Sequence, residues 1–151
     1  MKSFHDLAHV GYYRAPGDSE IKPHAIAEGF EYIELVTAGK VFFEVEGHEL
    51  EFGCGAMFWH LPSDCTIHKT DPDNPYERLC LKFSSSAKRS SDLRTHPRVS
   101  VWRNKDEAVS FSNIIIDVFH NNILGKKETS YYAYSRLSWE AGLFSAAKPS
   151  L

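Results

Sequence analysis

The stretch from Glu31 to His68, "EYIELVTAGKVFFEVEGHELEFGCGAMFWHLPSDCTIH", decides the fold. Short runs of β-branched and aromatic residues alternate with single glycines, the pattern of strands joined by tight turns. "FEYIELVTAG" (30–39), "KVFFEVEG" (40–47), "HELEFGCG" (48–55) and "AMFWHLP" (56–62) each read as a strand with its turn. Glu46-Gly47 and Gly53-Cys54-Gly55 supply the turn residues. Side chains alternate along a strand. Tyr32, Glu34, Val36 and Ala38 therefore share one face of the first run, and Ile33, Leu35 and Thr37 the other.

Outward from this stretch, "CTIHKT" (65–70) and "ERLCLKF" (77–83) extend the series to six strands. "DPDNP" (71–75) between them is a turn, with two prolines fixing φ and Asp and Asn closing the loop. In "ERLCLKF", Leu79, Leu81 and Phe83 form an apolar face, while Arg78, Cys80 and Lys82 share a mixed one of the kind that lines ligand cavities. "VSVWR" (99–103) is a candidate for one more strand, and "SSSAKRSSD" (84–92) reads as an exposed loop. "SFHDLAHVGYYRAPG" (3–17) is read as an arm able to close over a pocket.

Past residue 103 the pattern becomes helical. Asp106 is placed to cap a helix running to about Leu124 and ended by Gly125. At about 100° per residue its apolar side chains, Phe111 to Ile123, cover roughly 200°, twice what one core contact needs. A second helix is expected from Thr129 or Ser130 to about Ala147. Ala133, Leu137, Ala141 and Phe144 form one stripe; Tyr132, Trp139 and Leu143 form another. Ser135, Ser138 and Gly142 make a small-residue strip between them. The wide apolar arc predicts that the first helix faces two partners, its own barrel and another helix or subunit.

The chain has 151 residues, enough for one domain with a sizeable core. A net charge of −3 argues against a grip on a phosphate backbone. No apolar run is long enough for a membrane span, and "MKSFHDLAHV" lacks a secretory h-region. Three cysteines without paired spacing fit reduced cytosolic thiols, so a cytoplasmic protein is expected. Cys54, His60, Cys65 and His68 do not make two closely spaced ligand pairs, so they do not read as a zinc site. There is no nucleophile elbow and no phosphate-binding loop.

The segment from Phe30 to Phe83 resembles a cupin, and specifically the N-terminal sensor domain of AraC-family transcription regulators. Gly39, Gly47, Gly55, Pro62 and His68 occupy that pattern's landmark places in order. "PYERLCLKF" resembles its returning strand, and the two helices resemble the pair that serves dimerisation in the family. The resemblance implies a mainly β fold: a cupin-type β-barrel (jelly roll) over residues 1–103, followed by a C-terminal α-helical pair over 104–151 in the same compact domain. It implies a small-molecule effector, a sugar or a small acid, bound by Tyr32, Glu34, His68, Arg78 and Cys80, joined by Trp59 or His60 according to which face their strand presents. It also implies a homodimer formed through Phe111, Ile115, Ile116, Phe119, Ser138 and Gly142.

The departures set the remaining expectations. The family's metal-dependent members carry His-x-His and Glu on the first motif strands; here those places hold Ile26, Glu28 and Tyr32. Only His68 matches, so no cofactor is expected. The alternative is a stand-alone metal-dependent cupin enzyme with His24 and His68 as ligands, joined by Glu34 or His60. No helix-turn-helix unit lies within residues 1–151. DNA contact is expected only through a C-terminal domain outside this chain, and no membrane contact is expected.

Overall fold

The computed structural model describes residues 5–17, 21–85 and 97–147, with the side chains of the last helix followed to Gly142. Its elements are β1 (Leu7–Arg14), β2 (Phe30–Ala38), β3 (Val41–Val45), β4 (His48–Phe52), β5 (Ala56–His60), β6 (Glu77–Ser84), β7 (Val99–Val101), α1 (Lys105–His120) and α2 (Lys126–Ala147). The alternating stretch of the sequence is thus β2 to β5, as its glycines indicate. Gly39 turns β2 into β3 at φ +77°, and a Cβ there would strike the Pro75 carbonyl. Glu46 and Gly47 take φ of 52° and 83°, the two left-handed residues of a hairpin whose twist matches its strands.

The strands form two sheets. A five-stranded sheet runs β1-β6-β2-β5-β7, all neighbours antiparallel, and β3 pairs with β4 in a separate hairpin. The hairpin lies over one face of the large sheet: the Phe43 and Phe52 rings sit 4.8 Å and 5.2 Å from that of Phe58. Val36, Val41, Ala56, Phe58, Ile67 and Tyr76 fill the space between. Among the described residues no ladder closes the two sheets into one barrel. Residues 65–70, expected as a strand, contribute only single bridges, Cys65 to Ala25 and Thr70 to Val41. Pro62 and the left-handed Ser63 (φ 75°) bend the chain just before them.

The helices cover the opposite face. Ile33, Leu35, Met57, Trp59, Leu79, Leu81 and Phe83 meet Phe111 and Ile115 of α1 and Ala133, Leu137 and Ala141 of α2. Burying each large apolar side chain contributes about 1.5–3 kcal/mol, so this layer supplies much of the stability. Phe111 and Ile115 are 2% and 0% exposed. They belong to the chain's own core, which corrects their assignment to a dimer surface. Ile116 and Phe119 are partly buried against the same core. Ser138 is half-buried and Gly142 exposed.

Helix ends differ from expectation for local reasons. The cap of α1 is Asn104, whose Oδ1 accepts from the Asp106 and Glu107 amides at 2.9 and 3.2 Å. Asp106 instead stands in the first turn, where its charge suits the helix dipole. The helix stops at His120, because Asn122 adopts φ 52° before Gly125 is reached. Thr129 and Ser130 do not cap α2. Their hydroxyls donate back to the Gly125 and Lys126 carbonyls, at 2.9 Å each.

The segment read as an arm is the edge strand β1. It pairs with β6 from Leu7 to Arg14. The Leu7 amide donates to Ser130 Oγ at 2.8 Å, and His120 Nε2 lies 3.1 Å from the Val10 carbonyl. One strand is thereby tied to both helices. Residues 86–92 of the expected exposed loop, and the side chains of Leu143 and Phe144, lie outside the described residues. No helix among the described residues is long and apolar enough to cross a membrane.

Candidate functional site

The strand register decides which predicted site residues meet. Tyr32 lies opposite His60 on β5, and Glu34 lies opposite Cys80 on β6. Val36 lies opposite Arg78, which on its other side faces Tyr13 of β1. Alternation then puts Tyr32, Glu34, His60, Arg78 and Cys80 on one face of the sheet, the face under the β3–β4 hairpin.

At its centre is Glu34, with no exposed surface. Its Oε1 accepts the Ile67 amide at 3.0 Å and lies 2.7 Å from His60 Nε2. Its Oε2 sits 2.7 Å from Arg78 Nε. That contact is an ion pair rather than an aligned hydrogen bond. Oε2 has no well-directed donor, and the Nε–H points instead toward the Tyr76 hydroxyl at 3.4 Å. The guanidinium lies between aromatic rings, 4.9 Å from Tyr13 and 5.9 Å from Tyr32, and its Nη1 is 3.4 Å from the Tyr32 hydroxyl. Burial lowers the proton affinity of Arg78, and the charge of Glu34 more than restores it, so its pKa is raised. Burial, with Glu34 nearby, likewise pushes the Tyr76 hydroxyl up to about 12. Burial raises Tyr32 further above its usual range, despite the opposing charge of Arg78.

Two predicted residues stand apart. Trp59 has the opposite parity to His60 and points into the helix layer. Its indole N–H donates to Glu31 Oε1 at 2.8 Å. His68 is exposed on the segment after β5, one residue beyond the buried Ile67 whose amide Glu34 holds. Tyr13, expected only in an arm over the pocket, belongs to the cluster through the pairing of β1, as does Tyr76. The alternation of "HVGYYR" was the available signal for Tyr13.

For a metal, Glu34 and His60 are brought together, while His24 and His68 are both exposed. Among the described residues no three His, Cys, Asp or Glu side chains gather in a metal-holding arrangement. Because Glu34 is fully covered, it acts on Arg78 rather than on a bound molecule. The groups that reach the surface here are Arg78, Tyr13 and Tyr32.

A second buried carboxylate lies on the helix side. Glu31 accepts from Trp59 and from the Tyr134 hydroxyl (3.0 Å) on Oε1, and from Ser85 Oγ (2.8 Å) on Oε2. His5 Nε2 is 3.2 Å from the same Oε2, and its ring stacks on Tyr134 at 4.0 Å. Burial raises the Glu31 pKa, but these donors outweigh it and hold the carboxyl below its ordinary value. This site joins β2, β5, α2 and the start of β1.

No family model matches the chain, and no curated protein matches it. Among solved structures it is similar to a cupin protein from Bacteroides fragilis. The likeness has a TM-score of 0.41 and 17% identity, and covers 62% of this chain and 80% of that one.

Proposed function

We propose that the chain is a small-molecule-binding domain, an effector sensor of the kind found in AraC-type transcription regulators, with the Arg78 face as its ligand site. The observation that carries the ligand reading is Arg78 itself. It is charged, mostly buried, and pinned from behind by Glu34, yet Nη2 has no partner among the described residues. Orienting a cation this way serves recognition, because holding the group before binding removes part of the cost of binding. The regulator reading is supported by the order of Gly39, Gly47, Gly55 and Pro62 and by a helix pair following the strands. In such a regulator the protein is cytoplasmic and not itself an enzyme, and DNA contact belongs to a separate unit. The two helices and the turn between them present Ile114, Ile123, Leu124 and Tyr131, all more than 40% exposed, as the apolar surface for a second copy.

Equilibrium dialysis of the protein against a metabolite extract, followed by mass spectrometry, tests the ligand reading. Retention of a small molecule that is lost on Arg78→Lys is expected. Retention of nothing, or of a molecule indifferent to Arg78→Lys and Tyr32→Phe, would overturn it. Stoichiometric metal lost on His60→Ala would favour the enzyme reading instead. Sedimentation is expected to show a dimer that Leu124→Glu dissociates.

A further inference from the structure

The charges around Arg78 narrow the chemistry of the ligand, on the reading that this face is the binding site. Alternation along β6 places Arg78, Cys80 and Lys82 on it in a row. Across β1 the row faces Tyr13, Gly11 and His9. Gly11 carries no side chain, and a Cβ there would come within 2.9 Å of His9 Nε2 and 3.2 Å of Cys80 Sγ. The His9 ring thus leans along the row toward Cys80. The Lys82 ammonium stays beside the row, 4.5 Å from the centre of the Phe30 ring.

The carboxylate that this face carries is Glu34, which is fully buried and shared between His60 and Arg78. The hairpin side chains above it are Val41, Phe43 and Phe52, all apolar. What a molecule arriving at Arg78 meets is therefore cationic or aromatic, namely Arg78, Tyr13 and Tyr32, while Lys82 and His9 lie four positions further along β6 and β1. The two tyrosine rings flank the guanidinium, Glu34 holds its Nε side and the Tyr32 hydroxyl accepts from Nη1, so Nη2 and the second Nη1 proton, along the Nη edge, are what remain to be met. That edge matches a carboxylate, which takes two parallel N–H bonds; a sugar hydroxyl takes one.

We infer that the ligand of this site is a small carboxylic acid whose carboxylate sits on the Nη edge of Arg78.

Isothermal titration of the full chain with matched pairs tests this: glucuronate against glucose, and succinate against succinamide. The acids are expected to bind and the neutral partners not. Arg78→Lys keeps the charge beside Glu34 but loses the fork, and should weaken every acid by about tenfold or more. Lys82→Gln, four residues along β6 and roughly 13 Å from Arg78, should leave every acid unchanged. Glucose binding as well as glucuronate, with both lost on Tyr32→Phe, would overturn the acid assignment while leaving the site in place. Binding of no compound in the panel at millimolar concentration would overturn the assignment. So would a response shared by chloride and sulfate. If dialysis also retains nothing at Arg78, the site itself falls with it.

Discussion

At the scale of single residues, the molecule carries two buried carboxylates on one strand, three residues apart and therefore on opposite faces. Glu34 is balanced by a charge, Glu31 by neutral donors and His5. The two balances respond differently to mutation. Arg78→Ala leaves the Glu34 carboxyl buried and held only by His60 and one amide. A loss of about 3–5 kcal/mol is expected, read from urea unfolding. The pair Glu34→Gln with Arg78→Met removes both charges and should recover most of it, since replacing a buried ion pair as a whole is often near neutral. Glu31 makes a prediction in pH. Its folded pKa lies below its ordinary value of about 4.5. The stability it contributes is therefore complete above that value and is lost as pH falls through the folded pKa. Glu31→Gln keeps the shape and most hydrogen bonds, so the variant should be less stable than the parent at neutral pH. The difference should shrink on acidification below about pH 4.5, as followed by melting temperature. A constant difference across that range would mean that Glu31 does not titrate with folding.

At the scale of elements, legibility followed the period of the pattern. Strands β2 to β6 carry period-two alternation and turn glycines, so their faces could be read, and the register joined Tyr32, Glu34, His60, Arg78 and Cys80. The choice between Trp59 and His60 stayed open because they are neighbours on one strand, and parity alone does not say which faces the hairpin. His68 was drawn in by the resemblance, but an irregular 65–70 segment has no strand parity to aim it. The cap of α1 was missed by two residues, since Asn104 and Asp106 are both good caps and only backbone geometry chooses. Phe111 and Ile115 were assigned outward because an arc of apolar residues does not say which part its own sheet will cover. Gly39 is where the element scale makes its own prediction. At φ +77° a side chain is strained, and its Cβ would also overlap the Pro75 backbone, which cannot rotate away. Gly39→Ala should cost about 3 kcal/mol or more, beyond the 1–2 kcal/mol of left-handed strain alone. Gly29, also at positive φ (91°) but with nothing within reach of a Cβ, is the matched control. Gly29→Ala should cost only the strain, and the difference in urea midpoints isolates the overlap.

For the whole molecule, β1 is the element that joins the candidate site to the helices. Tyr13 near its end covers Arg78, Val10 in its middle is held through its carbonyl by His120, and Leu7 at its start is held by Ser130. Leu7 and Val10 are each 1% exposed, part of the layer beneath the helices. An arm that only shields a ligand would be removable at no cost to the fold. A strand with these ties is not. Removing residues 1–14 would expose the edge of β6 and open the helix layer at two places. The Ser130 hydroxyl would lose its donor, and the Glu31 carboxylate would lose His5. The truncated chain should fail to unfold cooperatively, or should melt far below the parent even without any ligand. Tyr13→Ala provides the contrast. It leaves the backbone pairing of β1 intact and removes one ring from Arg78 and from the layer beside Tyr76, so it should weaken ligand binding while lowering the melting temperature far less than the truncation does. A truncation that melts like the parent but binds more weakly would restore the arm. A truncation that melts low, beside a Tyr13→Ala variant that folds and binds poorly, would show that one strand both completes the core and finishes the site.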